Sequence, residues 1–417
     1  MSVPDEPPLK KLKPDDGVSF NLHNVDNSET NPKTCTNQNL NDQSIELPPE
    51  LASMDWTQRV AWGKYHPYAA PPLPLTAVDT EPTFSVTSPA LCHHVHALSG
   101  RARACTVHLT PQPGQSRPRP VPTPMFMPVG TKGCLKALLF QELTQDPALQ
   151  CPIILANTYH LAIQPGTELI DQMDGLHAFQ GLPNLTRSES SETVLPYNIL
   201  TDSGGFQMVS LVKLSEVTEE GVAFENPYHQ QQHDKSKGRS SLSTNSTNIN
   251  ETDNQESEES AQRDLLLLRP EDSIRHQNNI GANIIMALDD VISSVTVQAE
   301  RFVTATHRTL RWYDRCYAAH AKKETQNLFP IVQGGLDTEL GGLREQCLAG
   351  FRYRELELQY ITPGYSIGGL AGGEEKDMFW KVVDQCCKAL PDNKPRYLMG
   401  YVCVGSLLLL FFSCDWC

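Results

Sequence analysis

Asp202 closes an apolar run in "ILTDSGGFQMVSL" (199–211) and is followed at once by Ser203, two glycines and an aromatic ring. A carboxylate there can accept two parallel N–H donors from a flat ring. The bare backbone of Gly204 and Gly205 lets a ligand edge come close to the amides. Asp289, after "IIMAL", offers a second carboxylate, and Gln333, in "IVQGG", carries both a donor and an acceptor. The Gly368–Gly369 backbone adds amide donors, and Phe206 and Met399 are apolar surfaces able to sandwich a ring. Together the set matches a guanine-like base, with acids for its amino and ring N–H groups and amides for its carbonyl oxygen. Each member also has a plainer reading. A lone DSGG is a turn more often than a site, Asp290 suits the N-cap of a helix beginning at "DDVISS", and Phe206 and Met399 serve equally as core.

These residues need elements to hold them. "IILANTY", "NILTDSGG", "NIIMALDD", "LFPIVQGG", "GYSIGGL" and "RYLMG" each run a short apolar strand into a polar or glycine corner. Helical segments lie between them. "RPEDSIRHQNNIG" (269–281) has Pro270 and two acids in its first turn, and "SVTVQAERFVTATHRTLRWYDRCYAAHAKK" is long and amphipathic. Apolar strands alternating with helices predict an α/β fold with a parallel sheet buried on both faces. In such folds the C-terminal strand ends gather on one face, which carries the site. Asp202, Asp289, Gln333, Gly368 and Gly369 all fall at those ends. Five groups converging on one mouth are far more specific than any one of them.

The rest of the chain sets bounds. It has 417 residues, an apolar fraction of 39% and a formal net charge of −15. That charge argues against nucleic acid, but the acids concentrate in polar segments and leave local basic patches free to meet phosphate. Residues 1–90 read as a disordered N-terminal extension, ordered chemistry begins at 91 with "ARACTVHL" as an early strand, and 184–198 is a Ser/Glu-rich loop. Residues 229–264 have no apolar period, so they are expected as a surface insertion. Twelve cysteines without a repeated spacing, and an N-terminus with no apolar core, point to reduced thiols and a cytoplasmic protein. "KKLK" at 10–13 is too short to serve as more than a weak nuclear address.

From about 123 to 400 the chain resembles the queuine tRNA-ribosyltransferase family, the tRNA-guanine transglycosylases, and within it the eukaryotic catalytic subunit. The resemblance is carried by "TPMFMPVGTKG", "NTYHLAIQPG", "LTDSGGFQMVSLVKLSEVTEEGV", "LDDVISS", "NLFPIVQGGLD", "IGGLAGGE" and "KPRYLMG", in that order. It implies an irregular (β/α)8 TIM-type barrel that exchanges guanine for queuine at the wobble position of tRNAs with GUN anticodons. The exchange would proceed by double displacement through a covalent enzyme–tRNA intermediate. By the motif match, Asp202 is the proton acceptor and Ser203, Gly204, Gly205 and Phe206 line the pocket. Asp289 holds the ring N–H groups, and Gln333 and Gly369, beside Gly368, address the carbonyl edge. Leu370 sits next to them, and Met399 and Phe206 stack on the base. Gly372, where bacterial relatives are bulkier, looks like room for the cyclopentenediol of queuine. The family also implies a heterodimer with an accessory subunit, and a zinc ion held by three cysteines and a histidine.

After "KPRYLMG" the family pattern stops. The chain reads "YVCVGSLLLLFFSCDWC", without the nucleophilic aspartate, the zinc ligands or the Thr-Arg tRNA contacts. Residues 401–417 are therefore expected to be an apolar tail foreign to the family, and the barrel to be incomplete at its C-terminus. Asp415 lies in a context unlike the nucleophile's. Cys414 and Cys417 supply two of the four ligands a structural zinc needs, and "CHHVH" (92–96) reads as exposed histidines rather than as the missing ones. The apolar run reaches the minimum length of a membrane span but begins inside a strand and lacks a basic flank, so no membrane anchor is expected. Two alternatives to the family enzyme follow: an inactive base- or tRNA-binding remnant, and a generic barrel enzyme using Asp202 and Asp289 as an acid/base pair.

Overall fold

The computed structural model describes residues 83–99, 102–111, 116–139, 142–143, 149, 151–182, 195–205, 216–225, 265–294, 299–370 and 372–400. The expected disordered extension to residue 82, the insertion 229–264 and the tail 401–417 lie outside them. The described residues open with four strands, β1 (Thr83–Ser88), β2 (Leu91–Ser99), β3 (Ala102–Leu109) and β4 (Val121–Thr123), antiparallel in the order β1-β2-β3-β4. The expected strand "ARACTVHL" is β3, but two more precede it, so among the described residues strands are present from Thr83, ahead of 91. "TFSVTS" has few apolar residues and "LCHHVHALS" lacks a regular alternation, so neither reads as a strand alone. Their backbone is satisfied through the ladder to β3.

Parallel strands follow. β5 (Ile153–Ala156) leads into helices α1 (Thr158–Ile163), α2 (Thr167–Gln172) and α3 (Leu176–Phe179), then β6 (Asn198–Thr201). A side sheet of β7 (Glu216–Val217), β8 (Val222–Glu225) and β9 (Leu265–Leu268) is antiparallel. After it come α4 (Pro270–Ile280), β10 (Ile284–Met286), α5 (Ala299–Ala319), β11 (Asn327–Phe329) and β12 (Ile331–Val332). The described chain finishes with α6 (Leu343–Leu356), β13 (Tyr365–Ile367), α7 (Lys376–Ala389) and β14 (Arg396–Leu398). Both helices expected from their pattern are present. Pro270 fixes the first turn of α4, and Gly281, at φ 74°, ends it in the left-handed conformation that glycine adopts without strain.

The parallel strands form two runs, β11-β10-β6-β5 and β12-β13-β14. Only Pro330 separates β11 from β12. The amide of Ala287 donates to Phe329 on one side, and that of Ser366 to Pro330 on the other, so the two runs meet on one extended stretch. A bridge from Val129 to Leu155 extends the parallel order at the other edge. The described residues therefore form an α/β fold of mixed sheets and helices, without a closed barrel.

Each strand faces two cores. Ile153, Leu200, Ile284, Met286, Phe329, Ile331 and Tyr397 pack with Leu91, Val107 and Val121 of the antiparallel sheet. Their neighbours Ile154, Ile199, Ile285, Leu328, Val332 and Leu398 point the other way, against Ile274, Trp312, Cys316, Phe351 and Val382 of the helices. This period of two with both faces apolar is why the strands read as continuous apolar runs.

Candidate functional site

The polar corners stand where parallel strands end. Asp202 follows β6 directly, and its amide donates to Ala156 of β5 at 3.3 Å. Both of its carboxylate oxygens accept: Oδ2 from Asn157 Nδ2 at 2.6 Å and Oδ1 from the Thr158 amide at 2.9 Å. Asn157 is also the N-cap of α1, its Oδ1 accepting from the His160 amide at 3.0 Å. One side chain thus fixes both the helix and the acid.

Ser203 ties the first corner to the second. Its hydroxyl donates to Asp289 Oδ1 at 3.3 Å and accepts from the Gly205 amide, and its carbonyl accepts from Ser273 of α4 at 2.7 Å. Asp289 is buried, and Gln333 Nε2 donates to its Oδ2 at 2.6 Å. Burial pushes the Asp289 carboxyl up to about 6, against the pull of the hydrogen bonds from Gln333 and Ser203. Gln333 follows β12, its amide donating to Cys347 Sγ at 3.3 Å. Gly369, at φ 69°, lies so close that a Cβ there would collide with Gln333 Oε1, and one at Gly368 would stand 2.5 Å from Ile331 Cγ2. Met399 follows β14, its amide donating to Ile367.

The structure therefore brings Asp202, Ser203, Gly204, Gly205, Asp289, Gln333, Gly368, Gly369 and Met399 to adjacent strand ends. Met399 packs against the core shared with the antiparallel sheet and Leu370 against the core shared with the helices. Phe206 lies outside the described residues, as do Cys414, Asp415 and Cys417. Three readings change. Asp290 caps no helix: its fully buried carboxylate accepts from Arg301 Nη1 at 2.8 Å and Arg308 Nη1 at 2.6 Å, both from α5. The room expected at Gly372 is filled by the chain itself, since a Cβ there would lie 2.9 Å from the Ser294 amide nitrogen. In "CHHVH" only His96 is exposed; His93 is fully buried, on the opposite face of β2.

Four supporting residues went unread in the sequence. Asn157 and Thr158 hold Asp202, and "NTY" before a helix is an N-cap signal that could have found them. Gln277 of α4 accepts at Oε1 from Thr201 Oγ1 and the Met286 amide, both at 2.9 Å, and so clamps β6 to β10. Arg344 of α6 is fully buried. Nη1 donates to the carbonyls of Val332 at 2.8 Å and Gly368 at 2.9 Å, and Nη2 to that of Gly335. No sequence signal marks either of the last two. Among the described residues no three His, Cys, Asp or Glu side chains are gathered to hold a metal ion, and no helix is long and apolar enough to cross a membrane.

Comparison with known proteins bears on this arrangement. A family model described as "Queuine tRNA-ribosyltransferase" matches residues 99–243 and 234–411. The queuine tRNA-ribosyltransferase catalytic subunit of Schizosaccharomyces pombe is 44% identical over 282 residues, 67% of this chain and 55% of that protein. Its namesake in Caenorhabditis elegans is 39% identical over 308 residues, 74% of this chain and 60% of that one. The queuine tRNA-ribosyltransferase of Staphylococcus aureus strain JH9 is 38% identical over 284 residues, 68% and 59%. The chain thus spans 55–60% of the length of these relatives.

Proposed function

The chain belongs to the queuine tRNA-ribosyltransferase family, and from that premise we propose that its strand-end corners form the base pocket of a tRNA-guanine transglycosylase. The observation that carries this reading is the buried Asp289 carboxylate, held by Ser203 and Gln333 at neighbouring corners. A carboxylate has about four lone-pair sites, so two held ones leave acceptor capacity for the ring N–H and amino group of guanine or queuine. Gln333 and the Gly369 amide address the carbonyl edge, Ser203 to Phe206 line the pocket, Leu370 flanks it, and Met399 and Phe206 stack on the ring. Asp202 takes the proton released as one base replaces the other.

The finer parts of the reading follow the family. The parallel order from β5 to β14 is the run of an irregular (β/α)8 barrel over 91–400, with 229–264 as an insertion. The tRNA is bound across the same mouth, with exchange at the wobble guanine, in a cytoplasmic heterodimer with an accessory subunit. The family's zinc ion would need a set of Cys and His ligands, and no three such side chains are gathered among the described residues.

The ionised form of Asp289 is the one that accepts N–H donors. With its carboxyl at about 6, guanine binding should strengthen as pH rises through that value and level off above it. Isothermal titration of guanine across pH 5 to 7.5 tests this. Asp289→Asn puts a donor where an acceptor is needed, and should weaken binding about tenfold or more and abolish the pH dependence. Binding that the substitution leaves unchanged would remove the base-pocket reading. Labelled guanine exchange into tRNA, with Asp202→Ala alongside, then tests the chemistry.

A further inference from the structure

Arg344 is a fully buried guanidinium under this mouth, and the base pocket does not use it as a ligand group. Its two terminal nitrogens reach carbonyls from three different peptides: Val332 at the end of β12, Gly335 just beyond Gln333, and Gly368 at the end of β13. Among the described residues it has no carboxylate partner. A buried cation satisfied only by backbone carbonyls is costly to keep, so its placement calls for a reason beyond packing.

The peptide bond supplies one. In a planar trans peptide the C=O and N–H point in opposite directions. Arg344 Nη1 holds the Gly368 carbonyl at 2.9 Å, so the N–H of the next residue, Gly369, is turned away from the helix. The left-handed φ of Gly369 and its close approach to Gln333 Oε1 leave this corner no other residue type and little freedom. The same fork fixes the carbonyls on either side of Gln333, at Val332 and Gly335. One side chain of α6 therefore sets both groups assigned to the carbonyl edge of the base.

We propose that Arg344 is a positioning residue: by gripping the Val332, Gly335 and Gly368 carbonyls, it presents the Gly369 amide and the Gln333 side chain to the 6-oxo group of the bound base. The inference rests on the base-pocket reading above. It assigns to Arg344 a role in recognising one atom of the ligand, which general packing would not produce.

The test compares guanine with 6-thioguanine, which keeps the ring N–H and amino group but offers sulfur, a poor acceptor, in place of the oxygen. Both are titrated into the full chain and into Arg344→Lys, which keeps the charge and loses the fork. The parent should favour guanine. Arg344→Lys should weaken guanine about tenfold while changing 6-thioguanine much less, so that the preference collapses. An equal loss for both bases marks a structural role and overturns the proposal, as does an unchanged preference. If Arg344→Lys does not fold, hydrogen exchange on the parent chain decides. Guanine, but not 6-thioguanine, should slow exchange of the Gly369 amide, and no slowing overturns the assignment. A parent chain that binds neither base, or binds both regardless of Asp289→Asn, removes the base pocket itself, which is a different failure.

Discussion

Asp289 carries a stability consequence independent of any ligand. Its carboxyl has an ordinary value of 3.8 and is raised to about 6 in the folded chain, chiefly by burial. Below the ordinary value both folded and unfolded chains hold the proton, and the contribution to stability is fully present. Between the two values only the unfolded chain releases it, so stability falls as pH rises, and above about 6 the loss is complete. A shift of this size corresponds to about 3 kcal/mol. Urea unfolding of Asp289→Asn between pH 4 and 7 should lack that downward component, and a slope identical to the parent's would mean that another group is titrating. At this scale much was legible. Acids, glutamine and glycines after apolar runs are local patterns, and they marked the corners. Arg344 and Gln277 were not legible, because each acts through backbone of strands distant in sequence.

At the scale of elements, the docking of α5 turns on a few charges. Asp290 is fully buried between Arg301 and Arg308, and further along the same helix Arg311 and Arg315 hold Glu219 and Glu271. Replacing Asp290 by asparagine leaves two guanidinium groups facing a neutral partner in a partly buried setting. That should cost about 3–5 kcal/mol, read as a lower urea midpoint with an unchanged slope against denaturant. Arg311→Ala, which breaks an exposed pair, should cost less than about 1 kcal/mol. The helix α5 was visible in its amphipathic period, and α4 in its proline and acids. The helix suggested by "DDVISS" was not formed at Val291–Ser294, since a carboxylate that could cap is here spent on arginines from the next element. Tertiary partners of this kind leave no local trace.

Over the whole molecule, the two-sided core decides what solvent can reach. Cys316, Cys347, Cys386 and Cys387 are buried, whereas Cys134 is exposed. Burial pushes the thiols of Cys316 and Cys386 up to about 12 and that of Cys347 to about 11, so they present almost no thiolate near neutrality. Brief alkylation of the native chain followed by peptide mapping should modify Cys134 and spare those four until denaturant is added. Early labelling of Cys347 would mean that the α6 layer beneath Gln333 opens readily. The parallel order of strands was legible from their alternation with helices. The antiparallel sheet at the start was only half legible, since β1 and β2 exist by virtue of pairing.

The pairing of Glu225 with Leu265 at the end of the β8–β9 ladder bears on how this chain can change over evolutionary time. Residues 225 and 265 stand at directly opposed positions, about 4.8 Å apart as neighbouring strands are. The entropy of closing a flexible loop between two such positions grows only with the logarithm of its length. Segments can accordingly lengthen, shorten or be exchanged there at little thermodynamic expense, and a reporter domain with adjacent termini could be grafted at the same place.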